Sequence, residues 1–365
     1  MRIAFFLPNL EGGGAERVCV NLGKAFRQRG LEVDFVLVRA SGPLLGELPA
    51  DIRLIDLQAT RTLKSVPGLR RYLRHTKPDA LIAAPDIANL AAGFAGWSAG
   101  GKTRILATNH NNLIQQTMHT RKPQERAYPW LLRLLMPRFA AFVTVSQGNA
   151  EALRSLVPNS ATRLQVIYNP IVRNEIGALA AVPVDHPWFR KNQPPVLLAV
   201  GRLELQKDYP TLLRSFAIFR ERRAARLMIL GEGSQRRQLQ DLANELGISA
   251  DLCMPGFEEN PFQYMAACRV FILSSAWEGF GNVLVEALAC GAQIVATDCP
   301  SGPAEILEHG KYGKLVPVAD PTSMASALEA AMDQPILAST LRSRAADFSV
   351  EAAASAYLAA LRING

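Results

Sequence analysis

The sequence predicts an α/β protein built from two doubly wound parallel-sheet domains. Three observations predict it. Short apolar, β-rich runs alternate with longer helical patterns along all 365 residues. The runs are apolar throughout instead of alternating, which marks strands covered on both faces, as in parallel sheets flanked by helices. A proline-rich stretch without a period splits the pattern in two, and at roughly 100–200 residues per domain the length agrees with two units.

The first half, 1–173, offers strands at "RIAFFLP" (2–8), "EVDFVLV" (32–38), "DALIAA" (79–84), "RILAT" (104–108), "AFVTV" (141–145) and "RLQVI" (163–167). The stretch 174–195 holds Pro183, Pro187, Pro194 and Pro195 and reads as a linker. The second half, 196–346, offers "VLLAVG" (196–201), "RLMILG" (226–231), "DLCM" (251–254), "RVFIL" (269–273), "AQIVAT" (292–297) and "KLVPV" (314–318). The last segment, 347–365, reads as a helix with Phe348, Ala352, Tyr357 and Leu361 available for packing. In doubly wound sheets ligands bind beyond the carboxyl ends of the strands, so two such units facing each other place a site in the cleft between them.

Composition narrows the class. Apolar residues make up 49% and charged residues 20%, a balance suited to a large core. No low-complexity tract and no repeat of 20 to 50 residues argues for disorder or a solenoid. The five cysteines, Cys19, Cys253, Cys268, Cys290 and Cys299, lack CxxC spacing. That argues against a disulfide framework and a zinc cluster, and points to a reducing, cytoplasmic compartment. The opening "MRIAFFLPNLEGGG" is too short an apolar run for a signal peptide. "ALIAAPDIANLAAGFAGW" (80–97) has the length of a membrane span, but Pro85, Asp86 and Asn89 break it into strand, loop and helix. The net charge of +8 is uneven, with +11 in residues 1–190 and −3 in 191–365. A basic first half suits a polyanion, an anionic membrane face or a phosphate-bearing substrate, and equally a solvated surface with no partner.

Four stretches can carry chemistry. Gly12, Gly13 and Gly14 follow the first strand and precede a helix, where backbone N–H groups approach an anion; the pattern is not GxGxxG and also fits a plain turn. Arg202 and Lys207 follow the first strand of the second half, just before a helix that Asp208 and Pro210 begin. A planar fork and a point charge there suit a diphosphate, and spacing alone leaves two solvated cations as an equal reading. Gly231 and Gly233 in "LGEG" repeat the strand-to-glycine-to-helix pattern, with an ordinary turn as the alternative. "WEGFGNVLVEALACG" (277–291) places Glu278 on a loop and Glu286 one to two turns into a short helix, with Asn282 as its N-cap and Gly291 past its end. The amides of Gly281, Asn282 and Val283 lie at the helix N-terminus, where partial positive charge suits a phosphate. Glu286 sits among Val283, Leu284, Val285, Ala287, Leu288 and Ala289, and a carboxylate on so apolar a helix needs a partner.

Taken in order, "GGGAERV", "VSQGNAEAL" (145–153), "IYNP" (167–170), "GRLELQKD", "GEG", "EGFGNVLVEALACG" and "ATDCPSGPAEIL" make the chain resemble a retaining glycosyltransferase of family 4, with the GT-B fold. The resemblance covers nearly the whole chain and is densest from 196 to 320. It implies that Glu278 faces the hydroxyls of the donor sugar and Glu286 the nucleotide ribose. Arg202 and Lys207 neutralise the donor diphosphate, while Gly13 and Gly14 belong to a loop that closes on it. His110, after the strand 104–108, reaches the donor sugar. Gly231, Gly233, Gly279, Phe280, Gly281, Asn282 and Val283 line the donor site. The other histidines, His75, His119, His186 and His309, match nothing in the family.

The resemblance further implies a UDP-sugar as donor substrate, no cofactor and no metal. The leaving phosphate takes the acceptor proton, and the anomeric configuration is kept. "CPSGPAEIL" is similar to members that extend lipid-linked glycans, lipopolysaccharide or capsule in bacteria. The acceptor is then a glycan or a polyprenyl-diphosphate-linked saccharide, and no nucleic acid is a partner. The first domain would take the acceptor, and the C-terminal helix would cross back onto it. Basic clusters "RRYLRHTK" (70–77) and "RKPQERAYPWLLRLLMPR" (121–138) mix cations with Trp130 and leucines, a combination suited to peripheral docking on the anionic inner face of the cytoplasmic membrane, or to an ordinary helix with a basic outer face. A sugar-nucleotide epimerase of the same fold and a non-catalytic sugar-nucleotide binder remain as rival readings.

Overall fold

A computed structural model describes residues 1–114, 118, 123–160 and 162–362, with the side chains of 123–126 and 159 outside the description. It divides the chain into two compact units, Met1–Ile171 with Val350–Gly365, and Val172–Ser349. Both are parallel sheets between helices.

The first unit runs β1 (Arg2–Leu7), α1 (Gly14–Gln28), β2 (Glu32–Leu37), β3 (Arg53–Asp56), α2 (Val66–Thr76), β4 (Ala80–Ala83), α3 (Asp86–Ala99), β5 (Arg104–Asn109), α4 (Pro123–Leu135), β6 (Ala141–Thr144), α5 (Gln147–Leu156) and β7 (Leu164–Val166). Its strand order is β3-β2-β1-β4-β5-β6-β7. Successive side chains of β1 serve opposite faces. Ile3, Phe5 and Leu7 join one apolar cluster with Phe26 and Phe35, while Ala4 and Phe6 join another with Leu69, Leu90 and Leu132. This alternation is why the strand is apolar at every position. Each such buried Phe or Leu contributes roughly 1.5–3 kcal/mol.

β3 was not expected. It is an edge strand whose residues are mostly exposed, so it carries no apolar run, and Arg53 pairs with the buried Asp34 instead.

The second unit runs α6 (Ile176–Ala180), β8 (Val196–Val200), α7 (Tyr209–Arg220), β9 (Arg226–Leu230), α8 (Arg236–Glu245), β10 (Leu252–Gly256), α9 (Pro261–Ala267), β11 (Val270–Leu273), α10 (Asn282–Cys290), β12 (Ile294–Thr297), α11 (Pro303–Ile306), β13 (Lys314–Val316), α12 (Pro321–Asp333) and α13 (Ala338–Ala346). The strand order is β10-β9-β8-β11-β12-β13. Leu197, Ala199, Ile229 and Ile272 meet Leu212, Phe216, Leu239 and Leu328 on one face. The stretch 174–195, read as a linker, is packed into this unit. Asn260 Nδ2 donates to Leu179 O at 2.9 Å, and Phe189 meets Tyr264 edge-on at 5.8 Å. A five-residue helix is too short to show a period, which is why the sequence hides it.

The last helix, α14 (Val350–Ala360), belongs to the first unit. Tyr357, Leu358 and Leu361 complete the cluster around Phe26. Arg104 Nη1 donates to Leu361 O at 2.6 Å and to Arg362 O at 2.9 Å, satisfying carbonyls that a helix end leaves open.

Candidate active site

In the second unit the loops leaving β8, β9, β11 and β12 at the carboxyl edge of the sheet are tied to one another. Leu203 N donates to Glu232 O at 2.9 Å and Gln235 N returns a bond to Leu203 O at 2.9 Å. Gly231 has φ +138°, and a Cβ there would overlap the Gly201 carbonyl; a Cβ at Gly233 would overlap the Leu203 backbone. These two glycines are therefore required by backbone-to-backbone contact between loops, whatever ligand lies above. Glu204 accepts from Ser234 N at 3.0 Å and from Ser234 Oγ at 2.8 Å. Those bonds, helped by the charge of Arg202, hold its carboxyl below the usual range.

Asp208 begins α7 as expected, its side chain accepting from Thr211 N at 3.4 Å. The residue before it, Lys207, points back to the loop after β11. Its Nζ lies 2.6 Å from Glu278 Oε1, with side chains only 15% and 9% exposed. The same oxygen accepts from Ser275 Oγ at 2.7 Å. Ser274 Oγ donates to Lys207 O at 2.7 Å, Gln206 Nε2 to Trp277 O at 2.9 Å, and Thr297 Oγ1 to Ser275 O at 2.6 Å. Glu278 thus lies on a loop, but buried. Burial and then its charge push the Tyr209 hydroxyl up and the Cys299 thiol up to about 12. Ser274, Ser275 and Thr297 were missed from the sequence; hydroxyls directly after β11 and at the last position of β12 were the available signal.

Asn282 is not the N-cap of α10. Gly281 is, at φ +95°, and Leu284 N donates to Gly281 O at 2.9 Å. A left-handed cap needs glycine, which moves the helix start one residue. Gly291, at φ +81°, closes the helix as expected. Val283 and Glu286 are half-buried, while Leu284, Val285, Ala287 and Leu288 are fully buried. Gly279 is buried, and the Phe280 ring is turned into the core, 5.6 Å from Phe348. Arg202 is exposed on the loop that carries Lys207.

The remaining candidates lie in the first unit. Gly13 is the extended N-cap of α1, and Gly12 (φ +103°) and Gly14 beside it are exposed. The Glu16 carboxylate folds back over Gly13, so a Cβ there would overlap it. An acid in the first turn suits the positive helix end. His110 follows β5 directly. Thr108 Oγ1 gives its proton to Ala83 O at 2.9 Å and therefore accepts from His110 Nε2 at 3.1 Å. Nδ1 is then an acceptor, buried and without a partner among the described residues. Burial holds the ring pKa down at about 4, so it is neutral at pH 7.

A buried polar network beneath this edge also escaped the sequence reading. Asn109 Nδ2 donates to Asp86 Oδ1 at 3.1 Å. Asn89 Nδ2 donates to Thr108 O at 2.8 Å and to the Tyr128 hydroxyl at 3.3 Å. Asp86 and Asn89 had served only to interrupt an apolar run. Of the basic cluster at 121–138, Arg121, Lys122 and the Arg126 side chain lie outside the described residues. Among the described residues no three His, Cys, Asp or Glu side chains gather as a metal site, and no helix is long and apolar enough to cross a membrane.

Two family models match the chain: "Glycosyltransferase Family 4" over residues 12–175 and "Glycosyl transferases group 1" over residues 185–348. The N-acetylgalactosamine-N,N'-diacetylbacillosaminyl-diphospho-undecaprenol 4-alpha-N-acetylgalactosaminyltransferase of Campylobacter jejuni is 33% identical over 94% of this chain and 93% of its own length. The lipopolysaccharide core biosynthesis glycosyltransferase LpsE of Rhizobium meliloti is 28% identical, covering 95% of both chains. Among solved structures, Anabaena HepE in complex with UDP superposes with a TM-score of 0.82 at 22% identity, over 99% of this chain and 100% of that one. That likeness speaks to the fold.

Proposed function

This chain belongs to glycosyltransferase family 4, and we propose that it moves a hexose or N-acetylhexosamine from a UDP-sugar to a hydroxyl of a lipid-linked or cell-surface glycan, with retention of configuration. One observation carries the reading: the Lys207–Glu278 pair, 2.6 Å apart and buried, held beside the N-terminus of α10 at the carboxyl edge of the sheet. An ammonium has three N–H donors. Glu278 takes one, which orients Lys207 and leaves others for a diphosphate.

As the bond from sugar to phosphate weakens, negative charge grows on the departing UDP. Lys207, Arg202 and the amides of Gly281, Asn282 and Val283 interact most strongly with that charge, so they lower the barrier instead of only binding the donor. Losing one such donor costs about 2.7–4 kcal/mol of activation free energy. Glu278 accepts hydrogen bonds from the donor sugar, and Glu286 from the ribose. The neutral His110 ring of the first unit offers Nδ1 as an acceptor to a hydroxyl. Fixed positive charge takes the place of a metal ion in this scheme, so EDTA leaves turnover unchanged.

The relatives support the donor and acceptor classes. The Campylobacter enzyme's name records a diphospho-undecaprenol acceptor and an alpha linkage, the product of retention when the donor is alpha-configured. The Anabaena structure holds UDP. Docking at an anionic membrane face is supported by two exposed tryptophans, Trp97 and Trp130, over which Arg138 and Arg133 sit at 4.5 and 5.1 Å.

The test is a donor screen by UDP release, with a bacterial membrane lipid extract as acceptor and Glu278→Ala as control. Release that needs both the extract and Glu278 supports the proposal. Isomerised nucleotide sugar without acceptor identifies an epimerase, and an inverted anomer in the product, read by NMR, refutes retention.

A further inference from the structure

We propose that Ser275 is a positioning residue of the transfer reaction: its hydroxyl fixes one oxygen of Glu278, so that the other oxygen is the one offered to the donor sugar. The inference rests on the glycosyltransferase reading and assigns a residue that acts through Glu278 without touching the donor.

Glu278 Oε1 accepts twice, from Lys207 Nζ at 2.6 Å and from Ser275 Oγ at 2.7 Å. Oε2 accepts from no group among the described residues. The two donors differ in what they hold. An ammonium on a flexible four-carbon stem is a point charge and selects no carboxylate orientation by itself. Lys207 also faces the departing diphosphate, so its hold on Oε1 competes with a second task. Ser275 has no second task, and its backbone is fixed on both sides. Thr297 Oγ1, at the end of β12, donates to Ser275 O at 2.6 Å, and Ala276 N donates to Gln206 O at 2.8 Å. Ser275 and Thr297 are fully buried, so the hydroxyl is shut off from bulk water. The neighbouring Ser274 gives the contrast. It is buried too, and its hydroxyl donates to Lys207 O at 2.7 Å. Two successive residues after β11 therefore serve the two members of the pair: Ser274 holds the backbone of the cation, and Ser275 holds the carboxylate. Without Ser275 the carboxylate turns about its last torsion and presents its oxygens at a new place, and misplacement by about 1 Å costs up to about 10²-fold in rate. UDP alone carries no sugar, so its binding does not depend on that orientation.

The experiment uses the full chain, with UDP-glucose, UDP-galactose and their N-acetylhexosamine counterparts as donors and a bacterial membrane lipid extract as acceptor. UDP release gives kcat and KM, and calorimetry gives the UDP Kd. With the donor that wild type turns over, Ser275→Ala lowers kcat/KM about 10- to 100-fold, while the UDP Kd stays unchanged. Ser274→Ala shifts the Lys207 backbone and weakens UDP itself, by about 2- to 10-fold. In a Glu278→Ala background there is no carboxylate to orient, so adding Ser275→Ala lowers the residual rate, read over long incubations, no further. A merely structural role of the serine would lower the rate in both backgrounds. Ser275→Cys keeps a weak donor at the same place; it shows the same pattern in smaller measure and serves if Ser275→Ala fails to fold. Wild-type kcat/KM in Ser275→Ala, a UDP Kd weakened as much as kcat/KM falls, or a further loss in the Glu278→Ala background overturns the assignment. If wild type releases no UDP from any of these donors, the glycosyltransferase reading itself falls, and this assignment with it.

Discussion

Replacing Lys207 by Met separates two roles that the structure gives one residue. Its ammonium neutralises Glu278 at 2.6 Å, and the pair is nearly out of solvent at 15% and 9% exposure. Taking away one partner of a buried pair leaves an uncompensated charge, at a cost of about 3–5 kcal/mol. Glu278 keeps the Ser275 hydrogen bond at 2.7 Å, so the lower end, about 3 kcal/mol, applies here. For a unit spanning Val172–Ser349 this lowers the Tm by roughly 6–12 °C. Loss of a cation facing the departing diphosphate also reduces kcat about 10²- to 10³-fold. The double variant Lys207→Met with Glu278→Gln removes both charges. It regains most of the stability, because a neutral amide still accepts from Ser275. It does not regain turnover. Calorimetry and UDP release on the wild type, both single variants and the double variant complete the cycle. Recovery of kcat along with Tm in the double variant would show that Lys207 only neutralises its neighbour, and the diphosphate role would be wrong. An unchanged Tm in Lys207→Met would show that the pair is not buried as described.

Three further outcomes follow from other parts of the molecule. Gly302→Ala forces a side chain onto φ +102° and into the Phe280 carbonyl; a stability loss of about 1–3 kcal/mol and a weaker UDP Kd are expected, and wild-type values for both would refute the loop packing. Tyr357→Ala empties a fully buried site shared by α14 and Phe26 and costs about 3–5 kcal/mol, read as faster amide exchange in α1; unchanged exchange there refutes the packing. His110 has its folded pKa lowered by burial to about 4, so between that value and about 6.5 the unfolded chain binds more protons. Stability is complete above pH 6.5 and falls by up to about 3 kcal/mol as pH drops toward 4. His110→Gln flattens that slope in calorimetry across the window, and an identical slope in the variant would contradict the assignment.

Much of this protein is encoded within short windows of sequence. Eleven or so contiguous residues suffice to show an apolar run, a helical period or a cap, and so the six strands of the second sheet, the Asp208 cap and the closing Gly291 were all legible. The ordered motifs made the family legible for the same reason. β3 escaped because an exposed edge strand buries too little to leave a pattern, and α6 because it spans only five residues. Residue identity nominated Lys207 and Glu278 separately, as a phosphate cation and a sugar acceptor. Only the tertiary structure brought them together across 71 positions of sequence, set Gly231 against Gly201, and buried Asp86 and Asn109 side by side. Such pairings depend on which loops meet at a sheet edge. That is decided by the strand order, a property of long-range packing that no local window contains.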